Sequence, residues 1–177
     1  MQKFVNLCDR LSQGCGAVAG IMMLIGLALV IIEIIIRSLF DMTLYITEEY
    51  TAYLMVAITF LALSYTLKEK GHIRLTFLNT VLKGKARLIL DMYAFTVGLS
   101  VSILITITTT RLFWDSVVSQ TRSMQISETY LAIPQFFIPL GALVLALQFA
   151  AELGRAIIKM RSGRVEEQEV ESSSLGR

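Results

Sequence analysis

Few residues in this chain are able to do chemistry. There is one histidine, His72, and two cysteines, Cys8 and Cys15. Haem held between helices takes a pair of axial ligands, and a single histidine does not supply two. No group of His, Cys and carboxylates has the spacing of a metal site. No Ser, Cys or Lys stands in a recognised nucleophile context. Neither an enzyme nor a cofactor is expected. Cys8 and Cys15, seven residues apart, share a helical face and read as reduced thiols, buried or lipid-facing. Charges within apolar sequence are equally sparse: Glu33 with Arg37, and Asp91 with Arg87 four residues before it. Glu ahead of a cation at i, i+4 is the favourable order. Glu33 and Arg37 are therefore expected to pair, either at the headgroup level with Arg37 reaching outward or as a bridge to a partner subunit. Asp91 is expected to pair with Arg87, and the amide of Gln148 to hydrogen-bond across helices.

The elements that must position these residues are four apolar runs, about 15–36, 50–67, 88–110 and 130–151. A hydrocarbon core of ~30 Å takes about 20 helical residues, and each run supplies roughly that many. Backbone polar groups find no water in that layer, so the runs must be helices. The fold class expected is an all-α membrane protein with four transmembrane helices in one domain, residues 1–160, followed by a disordered cytoplasmic tail over 161–177. The mean hydropathy of +0.66 and 55% hydrophobic content fit that class.

Basic residues gather at the start (Lys3, Arg10), between the second and third runs (Lys68 to Arg87) and after the fourth (Arg155 onward), while the other two loops hold Arg37, Arg111 and Arg122. Lys and Arg stay cytoplasmic, which places both termini and the middle connection inside. The apolar stretch 75–82 is too short to span and reads as a short helix in the inner interface. Residues 2–13 form an amphipathic lead-in that either lies on the inner surface or extends the first helix. Gly16 and Gly20 make a small-xxx-small pair open to close helix approach. The hydroxyls of the third run, Thr96 to Thr110, can bond back to their own helix, and Trp114 is placed to anchor its outer end. Pro134 falls in a first turn, whereas Pro139 lies further in and should remove a backbone bond and kink the helix. Glu48 and Glu49 suit the start of the second helix, with Thr47 as a cap, and could also face a basic partner.

Ionisable residues near the membrane middle would mark a transport path, and paired broken helices would mark a substrate site; the runs contain neither. In order along the chain stand Arg37 closing the first helix, the acidic pair Glu48-Glu49, and the element Lys70-Gly71-His72-Ile73-Arg74. Then come the Ser127 to Thr129 segment, Ile133-Pro134, and Pro139-Leu140-Gly141. This arrangement resembles the small membrane subunit, of DctQ type, of tripartite ATP-independent periplasmic (TRAP) transporters. Tyr45-Ile46-Thr47 stands where members often carry Trp, and Arg74-Leu75-Thr76 where many carry an acid.

The resemblance implies a multi-pass protein of the bacterial inner membrane, working with a large permease subunit and a periplasmic substrate-binding protein in ion-coupled uptake of an organic acid. The large subunit would carry the substrate and move against a static scaffold that this chain widens in the lipid. Glu33, Arg37, Asp91, Pro134 and Pro139 would then be packing residues. Lys70, Gly71, His72 and Arg74 would form a cytoplasmic loop motif. Glu48, Glu49, Arg122 and Glu128 would face the binding protein. No nucleic-acid partner is expected. A membrane anchor of another complex and a stand-alone small transporter share the four helices; bound haem would mark the first, and uptake by the chain alone the second.

Overall fold

The computed structural model describes residues 2–69 and 85–161, and these are almost wholly helical. Helix α1 spans Gln2–Phe40, α2 Tyr45–Lys68, α3 Lys85–Val118, α4 Ala132–Gln135 and α5 Phe137–Arg161. Four helical spans are long and apolar enough to cross a membrane, with α4 and α5 together making the fourth. The Lys70 to Arg74 motif, the apolar stretch 75–82 and the tail from 162 lie outside the described residues. So does the side chain of Arg87, the expected partner of Asp91.

The helices outrun the apolar runs that announced them. The lead-in over residues 2–13 is a straight continuation of α1, and α3 runs on to Val118. At 1.5 Å per residue, α1 is about 58 Å long and α3 about 51 Å, each well beyond a ~30 Å hydrocarbon core. Both stop at a residue in the left-handed region, Asp41 (φ 53°) and Gln120 (φ 47°). After α3 the Thr121 N–H donates to the Ser116 carbonyl at 3.3 Å, closing a Schellman-type end. At Phe136 the fourth span passes from α4 to α5 with its dihedrals still helical, φ −57° and ψ −35°. Pro139 has no N–H to donate to the Gln135 carbonyl, so one bond of the ladder is missing there. Pro134 lies inside the short α4.

α5 is the hub. It packs on α1, α2 and α3, and α1 also packs on α2; among the described residues α3 leans chiefly on α5. Accordingly the fourth span is the most buried of the four and the α3 span the least. Lipid tails are as apolar as leucine, so close packing and polar ties must hold these helices together. The backbones come close where side chains vanish. A Cβ at Gly141 would stand 2.6 Å from the Phe60 carbonyl, and one at Gly16 2.7 Å from the Tyr65 ring. Gly20, the other half of the expected pair, has nothing within 4 Å. On α1 the buried or half-buried residues recur every three then four positions, from Val5, Cys8 and Ser12 to Gly26, Leu29, Glu33 and Ile36. That 3.5-residue period is the seam of a left-handed helix pair, and Cys8 and Cys15 both lie on it.

Candidate functional site

Charges are confined to the ends of the spans. No Asp, Glu, Lys or Arg occurs over 11–32, 50–67, 92–110 or 129–151. Each interval is about 27–35 Å of helix, close to the hydrocarbon thickness. Immediately outside them lie two polar layers, one at each end of the molecule.

The first layer is at the end that holds residue 2 and residue 161. Here α1 meets α5 after 139 residues of intervening chain. Ser12 Oγ donates to Gln148 Oε1 at 2.9 Å, and Gln148 Nε2 donates to Asp9 Oδ1 at 3.1 Å and Glu152 Oε1 at 3.4 Å. The Arg155 guanidinium spans the gap, one nitrogen on Asp9 of α1 and another on Glu152 of its own helix. Ser12 and Gln148 are fully buried. Around them Val5 and Cys8 pack against Ala151 and Leu147. One fork-shaped cation holding two carboxylates is a geometry that lysine, a point charge, does not reproduce. Gln148, expected to bond across helices, does so. Asp9, Ser12, Glu152 and Arg155 were not singled out in the sequence. The available signal was Gln148, Glu152 and Arg155 at spacings of four and three on one face of the last helix.

The second layer is at the opposite end and holds loops. Glu33 and Arg37 pair at 3.9 Å, and Arg37 Nη2 also donates to Thr43 Oγ1 at 3.4 Å. The Glu33 carboxylate accepts the Leu44 N–H at 3.1 Å and the Thr47 hydroxyl at 3.3 Å. Leu44 is the N-cap of α2 and offers no side-chain cap of its own. A carboxylate from α1 therefore caps α2, the role Thr47 was expected to take, because the helix starts two residues before Thr47.

Of the acidic pair, Glu48 is exposed and Glu49 is buried. Glu49 is turned toward the segment that follows α3. It accepts the Tyr53 hydroxyl at 2.6 Å and the Ser127 hydroxyl. Ser127 in turn meets Thr129 at 2.7 Å, and Thr129 donates to the Tyr50 hydroxyl at 3.3 Å. Across the same loop Ser123 N–H donates to the Thr129 carbonyl at 2.9 Å and Leu131 N–H to the Thr121 carbonyl at 3.1 Å. The Tyr130 hydroxyl donates to the Val117 carbonyl at 3.0 Å. The segment between α3 and α4 is thus a folded cap seated on the start of α2. Arg122 and Glu128 pair at 3.8 Å on its exposed surface.

Between the layers the hydroxyls of α3 bond back to their own helix, whereas Gln135 Oε1 in the fourth span is buried without a hydrogen-bond partner among the described residues. Thr96, Ser102, Thr106 and Thr109 each donate to a carbonyl one turn back at 2.7–2.8 Å. Nothing titratable lies in the middle of the described spans. Pro134 and Pro139 stand at the start of the fourth span, on the cap side.

Neither the curated proteins nor the solved structures gave a match to the chain. Residues 26–159 match the family described as the DctQ component of tripartite ATP-independent periplasmic transporters. That stretch runs from the middle of α1 through nearly all of α5 and takes in the cap, the Glu33–Arg37 pair and both prolines. It covers well over half of the 177 residues, and the chain belongs to that family, as a small permease subunit of a TRAP transporter.

Proposed function

We propose that this subunit is the static partner of the large permease subunit, widening its fixed frame in the bacterial inner membrane during binding-protein-dependent, ion-coupled uptake of an organic acid. The observation that carries the reading is the placement of polar groups. The interior of all four described spans is uncharged, and at each end a network ties helices or loops of the chain through Arg155 or through Glu33 and Glu49. A transport path needs ionisable or broken-helix groups at the midplane. A frame needs stiffness at its ends, and Arg155 and Glu33 supply it.

Lys3, Arg10, Lys68 and Arg155 sit at the end that holds residues 2 and 161, which supports a cytoplasmic placement for that end. The cap then faces the periplasm. Glu48, Arg122 and Glu128 are its exposed charges, and they are the groups we assign to docking of the substrate-binding protein. Glu49 acts from below, holding Ser127 and with it the loop. Uptake in proteoliposomes tests the reading. The three-component system transports; omission of this chain abolishes uptake, and this chain with the binding protein alone transports nothing. Uptake by this chain without the large subunit would overturn it. Glu48→Gln with Glu128→Gln should weaken binding-protein docking in a salt-dependent way. Equal docking at low salt would remove these groups from the surface.

A further inference from the structure

We infer that a long helix of the large permease subunit lies along one particular stripe of α1, a quarter-turn round from the seam that α2 and α5 bury. This rests on the assembly reading above and adds the face. The stripe starts at Phe4, Leu7 and Leu11 and ends at Ile32, Ile35 and Leu39, alternating steps of three and four. Every position on it is apolar or glycine, and every one is exposed. It is a second complete heptad seam, about 52 Å long at 1.5 Å per residue, against a ~30 Å core.

Two other exposed surfaces have the pattern expected of a lipid-facing stripe. The next stripe of α1 has the same period but reads Lys3, Asn6, Arg10 and Gln13 before turning apolar, and closes on Ser38. It is apolar only across the membrane. On α3 the exposed face is bracketed by Tyr93, 68% exposed, and Trp114, 64% exposed. They are 21 residues apart, about 31 Å, the separation of two interfacial aromatic belts. The Phe4 to Leu39 stripe follows neither pattern. It has no Tyr or Trp, and it stays apolar for about 10 Å past the first charge-free residue, down to Phe4. Lipid does not require that extension; a partner helix that also projects from the membrane does.

The projecting part is held rigid for such a partner. Val5 and Cys8 pack on α5, and Asp9 is bound by Arg155. Lys3 and Arg10, seven apart and exposed, border the stripe at the position where paired helices carry their charges. The partner helix should therefore carry carboxylates at its cytoplasmic end.

The test is a photo-reactive amino acid placed singly at Leu7, Val18 and Ile25 on the stripe, and at Tyr93 and Ile103 on α3. Membranes containing the whole transporter are irradiated, and co-purification of the large subunit is read in the same samples. All five positions are exposed, so the packing of the chain is undisturbed. Adducts with the large subunit from the three α1 sites, lost at both α3 sites, are the expected result. Adducts from α3 instead, adducts between two copies of this chain, or lipid adducts alone would overturn the inference while the co-purifying subunit leaves assembly intact. Absence of the large subunit from every sample would overturn the assembly reading and the inference with it.

Discussion

The two ends of the molecule are both tied by acidic residues, but they are tied differently. At the end with residue 2, Asp9 and Glu152 share one guanidinium, and the tie joins two helices at opposite ends of the chain. At the other end, Glu33 and Glu49 accept mainly from backbone and hydroxyl donors, and each secures a loop or a helix start. The first arrangement sets how α1 stands against the hub. The second shapes a surface. The fixed frame proposed above would have use for both, and for neither in the middle of the bilayer.

Breaking the first tie should have the largest effect. Arg155→Met removes the guanidinium that ties Asp9 of α1 to Glu152 of α5. Loss of one partner from a fully buried pair costs about 3–5 kcal/mol. The side chains here are 36% and 25% exposed for Arg155 and Asp9, so about 2–3 kcal/mol is expected. The readout is thermal unfolding in detergent together with maleimide labelling of buried Cys8, which should quicken. Unchanged labelling would mean that α1 is held elsewhere. Gly141→Ala, in the middle, pushes a Cβ against Phe60 backbone and should cost about 1–3 kcal/mol without favouring either end. Glu33→Ala removes the acceptor for Leu44 N–H and Thr47 and should cost about 1–2 kcal/mol. Hydrogen exchange in the first turn of α2 would rise while Cys8 labelling stays at its original rate. The smallest effect is Ser127→Ala, about 1 kcal/mol or less. It should speed exchange over 121–131 and leave the unfolding temperature nearly unmoved. Coupled changes at both ends from any of the terminal variants would contradict the separation drawn between them.

The four spans were legible because an uncharged run of some 20 residues has one physical solution in lipid. The Glu33–Arg37 pair was legible too, since i, i+4 geometry is local. Less of the ties could be read. Asp9 and Arg155 are separated by most of the chain, and no spacing rule links them; only the short Gln148, Glu152, Arg155 series hinted that one end of the last helix was polar on a single face. The turn of Glu49 toward the segment after α3 was hidden for a similar reason, because its partner Ser127 arrives from a loop whose path depends on how far α3 projects. Phe113, Val117 and Val118, apolar at helical spacing beyond the third run, carry part of that signal. The missing bond at Pro139 followed from proline chemistry alone, while the unequal use of Gly16 and Gly20 depended on where Tyr65 would lie.

The central claim is that this chain is a fixed partner of a large permease subunit and not a transporter in its own right. Purification of the tagged chain from its native membrane in mild detergent, with its partners identified and quantified, tests that most directly. A much larger multispanning permease recovered in near-equal amount, its recovery reduced by Arg155→Met, is the result the account predicts. A clean homodimer with no such partner would contradict it.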